Sequence, residues 1–260
     1  MEHVLDLGIG FLAGCLSGLL GVGGGFVVVP YLLATQADGG SVANAIAAGV
    51  LCVLPVCVYS ATLHGRRTQA DAMLASIITD TRIYAVGAAV VGSCIAMIVP
   101  DRVTAAVFAV LVAFSAWATL TGGSGRLVNR AVPLKRRLLP GINPGFFMGL
   151  GGGLIGAGGG YLTVPYLQCV RRVPIHDAIS VSAVMTLYII GGACVTAVIR
   201  AMVSVQVINW TQVVSVASAG LVGVAVGTRF GQRLSTAALK RIFAYYLVAL
   251  ALRMAARAVL

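Results

Sequence analysis

Gly10 to Leu33 reads GFLAGCLSGLLGVGGGFVVVPYLL, and Gly145 to Gln168 reads GFFMGLGGGLIGAGGGYLTVPYLQ. The two stretches align without a gap at an offset of about 135 residues, with roughly 13 of 24 positions identical, which is the mark of an internal repeat. The same offset pairs Ala88-x3-Gly92 with Gly223-x3-Gly227, and Phe108 with Phe243. Agreement at a single offset in separate places implies duplication of one unit. The chain therefore divides into a first repeat over 1–121, a basic linker over 122–140 and a second repeat over 141–260.

Outward from the repeated stretch, the chain is apolar almost throughout. Of its 260 residues 59% are hydrophobic and only 10% charged, and the mean hydropathy is +1.00. A soluble domain carries about 25% charged residues, whereas a membrane-spanning helix needs about 20 mostly apolar ones. Apolar segments run over 4–33, 43–63, 72–99, 103–121, 141–169, 176–199, 205–228 and 238–256. The fold class expected is an all-α polytopic membrane protein with two homologous halves of about four hydrophobic segments each. The net charge of +11 does not indicate nucleic acid, because the Lys and Arg residues fall between apolar runs rather than on one soluble face. Met1-Glu2-His3 lacks the basic start of a signal peptide, so the first apolar run is expected to be retained.

The repeated stretch is unsuited to a continuous helix. Gly21, Gly23, Gly24 and Gly25 lie in its middle and Pro30 follows; Gly156, Gly158, Gly159, Gly160 and Pro165 repeat the pattern. Each interior glycine costs about 0.8–1.0 kcal/mol relative to alanine and an interior proline about 3 kcal/mol. Both glycine clusters and both prolines are accordingly expected to break the helix. Bare backbone cannot face lipid, so each break must be buried in protein or line a polar cavity.

Loop charges bear on whether the chain passes through each break or turns back. If it passes through, Lys and Arg divide roughly 10 against 7 across the membrane. If it turns back, the loops around 64–71, 122–140, 169–175 and 229–241 share one side and carry about 13, against about 4 opposite. The second arrangement has the bias of a cytoplasmic face. It makes each first segment re-entrant, places both termini outside the cytoplasm and turns the duplication into an inverted repeat. The alternative is a parallel duplication with a kinked first helix.

A helix that restarts after a glycine break presents free N–H groups and about half a positive charge, which suits an anion. Gly23, Gly24, Gly25, Gly158, Gly159 and Gly160 are thus candidate substrate-binding positions. The spaced glycines Gly10, Gly14, Gly18 and Gly145, Gly149, Gly153 read instead as helix-packing faces. Asp80 and Arg82 lie in an apolar segment, where charge is costly. Arg82 can assist an oxyanion with Asp80 as partner or proton carrier, or both can sit near the headgroups with Arg82 snorkelling. Asn44 and Asp177 occupy matching places and read as helix N-caps, with Asp177 a second coupling candidate. Ser180, Ser182 and Thr186 follow and can line a pathway, although such hydroxyls often bond only a carbonyl one turn back.

Catalytic and cofactor motifs are missing from the sequence. The glycines lack the strand and the acidic residue of a dinucleotide fingerprint, and no phosphate-binding loop is present. Cys15, Cys52, Cys57, Cys94, Cys169 and Cys194 form no CxxC pair. His3, His64 and His176 have no metal-ligand spacing. No enzyme activity, metal or cofactor is expected.

Gly21-Val22-Gly23-Gly24-Gly25-Phe26-Val27-Val28-Val29-Pro30 and Gly156-Ala157-Gly158-Gly159-Gly160-Tyr161-Leu162-Thr163-Val164-Pro165 give the chain its resemblance to a known family. So does the polar entry Ile208-Asn209-Trp210 before a Gly-x3-Gly helix. It resembles the TauE/SafE family, the sulfite exporter or toluenesulfonate uptake permease group, over nearly its whole length. The resemblance implies a bacterial inner-membrane transporter of small sulfur-containing anions such as sulfite, thiosulfate or organosulfonates. A permease for another small organic anion, such as a carboxylate, is the alternative, with a non-transport membrane subunit behind it. Partners implied are the substrate anion, the lipid bilayer and, for import, a proton or another coupling cation. Ala47-Ala48-Gly49 stands where the second half has Ser180-Val181-Ser182, so any hydroxyls that touch substrate there come from the second half.

Overall fold

The computed structural model describes residues 2–35, 42–121, 143–203 and 209–259. Among them are ten helices and no strand: α1 (Glu2–Leu20), α2 (Gly25–Thr35), α3 (Val42–Ala70), α4 (Ala72–Ile95), α5 (Asp101–Thr121), α6 (Pro144–Ile155), α7 (Gly160–Cys169), α8 (Ile175–Val203), α9 (Trp210–Arg233) and α10 (Thr236–Val259). The apolar segments correspond to these elements, with each repeated stretch split in two at its glycines. The basic linker 122–140 lies outside the described residues.

Polar residues define the helix starts. Asp71 caps α4 by accepting from the Met73 and Leu74 N–H groups, Asn143 caps α6 ahead of Pro144, and Asn209 caps α9. Asp177 does not cap α8. It lies inside the first turn, where its N–H bonds the Pro174 carbonyl and its charge complements the helix dipole. Asn44 likewise lies inside the start of α3.

Stretches within α1, α3, α4, α8 and α9 are long and apolar enough to cross a bilayer, and α5 and α6 carry shorter apolar stretches. Large apolar side chains cover the outside: Ile83, Val110, Phe114, Trp117, Phe230 and Tyr245 are all more than half exposed. Such a surface needs lipid around it. With several such helices, the chain is a multi-pass membrane protein.

The strongest packing crosses between the halves. α1 lies along α9, α6 along α4, α3 against α8 and α5 against α10. The spaced glycines make the first two contacts. A Cβ on Gly10, Gly14 or Gly18 would strike the carbonyl of Val216, Gly220 or Val224, and one on Gly145, Gly149 or Gly153 the carbonyl of Thr81, Ala85 or Ala89. Both series rise together, so α1 is parallel to α9 and α6 to α4. The division at 122–140 is therefore one of sequence, not of space.

Each broken segment is an antiparallel hairpin. The Tyr31 hydroxyl of α2 donates to Asp6 Oδ1 of α1 at 2.7 Å. At about 1.5 Å rise per residue an unbroken helix would hold these residues nearly 40 Å apart. A Cβ on Gly24 would lie 2.9 Å from the Ala13 Cβ, and one on Gly159 would lie 2.9 Å from the Met148 carbonyl, so α7 folds back along α6 in the same way. The turns need glycine: Gly21, Gly23, Gly156 and Gly158 have φ of 64°, 83°, 66° and 78°. The prolines do not break the chain as expected. Pro30 lies within α2 and Pro165 within α7, in short helices where each removes one hydrogen bond without ending the helix.

Cross-links fix the ends of the bundle. Ser180 Oγ near the start of α8 is 3.4 Å from His64 Nδ1 near the end of α3, and the end of α1 receives bonds from His64 and Thr228. The α3–α4, α7–α8 and α9–α10 connections thus share one end, here the first end. The N-terminus of α1 and the starts of α3, α5 and α9 lie at the opposite end.

Candidate functional site

The two hairpins enter from opposite ends and their glycine tips meet inside the bundle. A Cβ on Gly23 would sit 3.1 Å from the Ala157 carbonyl, and one on Gly158 3.1 Å from the Val22 carbonyl; both would press on Thr186 Cγ2, at 2.9 and 2.5 Å. A Cβ on Gly25, which opens α2, would meet the Gly156 carbonyl at 2.6 Å. One on Gly160, which opens α7, would meet the Gly21 carbonyl at 2.9 Å. The amide-rich start of each returning helix therefore faces the carbonyl-rich end of the other hairpin's first helix, and the opposed partial charges compensate. The equivalent rings of Phe26 and Tyr161 meet edge to face, 5.2 Å between centroids.

Hydroxyls of α8 tie down the tip of the first hairpin. Ser182 Oγ donates to the Gly21 carbonyl at 2.8 Å and Thr186 Oγ1 to the same oxygen at 3.4 Å. Gly21 has left helical geometry, so its carbonyl has no partner within α1 and takes one from the other half. Ser182→Ala is expected to lower stability by about 1–3 kcal/mol, the cost of a buried carbonyl losing its better donor. Thermal unfolding of the detergent-solubilised protein checks it, and an unchanged midpoint would mean that Thr186 suffices.

A cleft lies on each side of the tips. The first-end cleft, about 50 Å³, is lined by Gly18, His64, His176, Ser180, Thr228 and Gln232 among others. His64 Nε2 is 3.0 Å from the Gly18 carbonyl, and Ser180 donates to the His176 carbonyl at 3.0 Å. The opposite-end cleft, about 10 Å³, is lined by Ile46, Val50, Ser93, Met97, Ala193 and Thr196 among others. It has room for one water at most. Ser93 and Thr196 are joined by a hydroxyl hydrogen bond of 2.7 Å. At the offset of the sequence match, Thr228 and Gln232 in the first cleft stand where Ser93 and Met97 stand in the second. The first borders the Gly21 turn through Ile179, and the second borders the Gly156 turn through Ile46 and Val50.

The candidates named from sequence thus separate into groups. Gly21, Gly23, Gly25, Gly156, Gly158, Gly160 and Ser182 come together at the tips. Gly24 and Gly159 pack on their own hairpins' first arms, and Ser180 lines the first cleft. Asp177 is half-buried on the first turn of α8, near that cleft. Arg82 and Asp80 are not brought to the tips. Both are exposed on the outer face of α4, beside Ile83 and Tyr84. The cost of a charge in an apolar segment was readable, but the face it occupies was not. Sequence reasoning passed over His64, Thr228 and Gln232, which line the first cleft, and Asp6, which is 3% exposed. For Asp6 the signal available was a lone charge inside an otherwise apolar run; His64, Thr228 and Gln232 stand beside arginines at the ends of their apolar runs, where nothing in the sequence marks them out.

A family model described as sulfite exporter TauE/SafE matches residues 7–254. A "Probable membrane transporter protein" of Xylella fastidiosa (strain Temecula1) is 26% identical over 252 residues, covering 96% of this chain and 93% of that protein. No solved structure matches.

Proposed function

The chain belongs to the TauE/SafE family, and from that premise we propose that it is a secondary transporter of small sulfur-containing anions such as sulfite, thiosulfate or organosulfonates. The observation that carries this reading is the meeting of two glycine hairpin tips between two clefts at opposite ends of the bundle. In the described conformation the tips touch and bar the path. Moving them apart uncovers the N–H groups that open α2 and α7, and these, with Ser182 and Thr186, hold the anion. An inverted repeat supplies the motion, because exchanging the roles of the halves exchanges which cleft is open. The opposed courses of the paired elements support it.

The first end is the cytoplasmic one in this reading. Arg66, Arg171, Arg172, Arg229, Arg233 and Arg241 gather there, as basic residues do on cytoplasmic loops. They raise the local concentration of an anion beside the larger, more polar cleft. Outward movement of one negative charge down an inside-negative potential of 100 mV releases about 2.3 kcal/mol, so export from that side needs no other ion. The termini then lie on the periplasmic side of a bacterial inner membrane.

Flux in proteoliposomes with labelled sulfite, thiosulfate, taurine and acetate at a set potential tests the reading. Potential-driven movement of at least one sulfur anion is expected. Movement of acetate alone would reassign the substrate, and no movement of any anion by folded protein would overturn transport.

A further inference from the structure

In the first-end cleft the accepting oxygens are taken and the free groups are donors. The Gly18 carbonyl on its wall accepts twice, from His64 Nε2 at 3.0 Å and from the Thr228 hydroxyl at 3.4 Å. A carbonyl only accepts, so His64 Nε2 carries the hydrogen, and its Nδ1 is turned to the Ser180 hydroxyl at 3.4 Å. The His176 carbonyl accepts from that same hydroxyl at 3.0 Å. The His176 ring and the Gln232 side-chain amide also line the cleft, and among the described residues neither is bonded to a protein group. Each can turn an N–H inward. Among the described residues no carboxylate lines the cleft, whereas exposed Arg229 and Arg233 follow Thr228 and Gln232 on α9. Engaged acceptors, free donors and a basic rim suit a ligand that accepts hydrogen bonds and carries negative charge.

We propose that the first-end cleft is a loading site for a small oxyanion, distinct from the tips, with Gln232 and His176 as its binding residues. The volume of the cleft sets the size of the ligand. About 50 Å³ holds about four waters, the space of a sulfur-centred oxyanion head with one further small group. Sulfite, thiosulfate or methanesulfonate fits, and the ring of an arenesulfonate does not. Leu19, Leu63 and Leu239 supply apolar wall for a methyl group or a terminal sulfur.

The site exists on one face only. Met97 stands where Gln232 stands at the repeat offset, and Ala47 is aligned with Ser180, so the opposite cleft has neither the amide nor the hydroxyl at these places. The first cleft reaches the Gly21 turn through Ile179, so an anion held in it waits beside the first tip. Parting of the tips then passes the anion to the N–H groups that open α2 and α7.

That the bound anion is cargo rests on the transport reading, whereas oxyanion binding in the cleft does not, and the experiment separates them. Calorimetry of the full-length protein in detergent and chloride-free buffer measures binding of methanesulfonate and of toluenesulfonate. Methanesulfonate is expected to bind and toluenesulfonate is not. Gln232→Leu and His176→Ala should each weaken methanesulfonate binding about tenfold or more, the effect of losing a hydrogen bond to a charged group. Gln232→Glu should abolish binding, with the unfolding midpoint kept because Gln232 is exposed. Methanesulfonate should also slow severalfold the reaction of Thr228→Cys, in a protein without other cysteines, with a thiol reagent. Unchanged affinity in Gln232→Leu and Gln232→Glu, equal binding of toluenesulfonate, or a Thr228→Cys reaction indifferent to methanesulfonate would overturn the proposal. Binding of neither anion by folded protein would overturn it too. Binding as described without flux of any anion in proteoliposomes would sink the transport reading alone.

Discussion

Gly158→Val is expected to abolish anion flux and to destabilise the protein, whereas Gly191→Ala leaves both unaffected or gains slightly in stability. Gly158 has φ of 78°. A residue with a Cβ costs about 1–2 kcal/mol in that region. The new Cβ would sit 2.5 Å from Thr186 Cγ2 and 3.1 Å from the Val22 carbonyl. Forcing atoms into a filled core adds about 1–3 kcal/mol. The contacted carbonyl belongs to the opposing tip, so relief requires the two hairpins to shift against each other. Gly191 lies within α8 with no atom within 4 Å of its would-be Cβ, and alanine there improves helix propensity by about 1 kcal/mol. The readouts are flux per reconstituted molecule and the unfolding midpoint. Normal flux in Gly158→Val would remove the tips from the path.

Gly149→Leu is expected to separate α6 from α4, and Gly14→Leu to separate α1 from α9. At both positions a Cβ would overlap a backbone carbonyl of the neighbouring helix, Ala85 in the first case and Gly220 in the second. A side-chain obstacle can rotate away, but a carbonyl in a helix cannot, so the cost lies at or above the upper end of the overpacking range, about 3 kcal/mol. In a chain of this size that lowers the unfolding midpoint by about 6–12 °C. Gly8→Leu on the same helix as Gly14 is the control, because nothing lies within 4 Å of its Cβ. Equal midpoints for Gly14→Leu and Gly8→Leu in detergent would contradict the close backbone contact.

Some of this architecture was legible in the sequence because the relevant physics is local. Clustered glycines advertise backbone conformations that other residues resist, and the turns fall at Gly21–Gly24 and Gly156–Gly159. Spacing of four marked Gly10, Gly14 and Gly18 as a packing face, and they pack as one. The identity of the partner was not local information. That α1 lies on α9, across more than half the chain, follows from which surfaces fit once all helices exist. The same reason hid the tie between α1 and α2. Asp6 and Tyr31 are 25 residues apart and touch only because the hairpin closes, whereas Asp80 and Asp177 stand out by their neighbours in sequence. Pro30 and Pro165 were read from propensity, and tertiary packing around two short helices overrides it. Arg82 shows the complementary limit: hydropathy prices a charge but does not say which way the helix turns it.

The arrangement of opposed hairpins with one cleft at each face is tested most directly by thiol accessibility. Thr228→Cys and its repeat counterpart Ser93→Cys, each in a protein without other cysteines, are exposed to a membrane-impermeant thiol reagent from either side of sealed vesicles. Thr228 lines the first-end cleft and Ser93 the opposite one. Modification of Thr228→Cys from the cytoplasmic side only, and of Ser93→Cys from the external side only, in the conformation that opens the opposite cleft, is the predicted result. Modification of both from the same side would contradict the inverted arrangement and, with it, the path between the glycine tips.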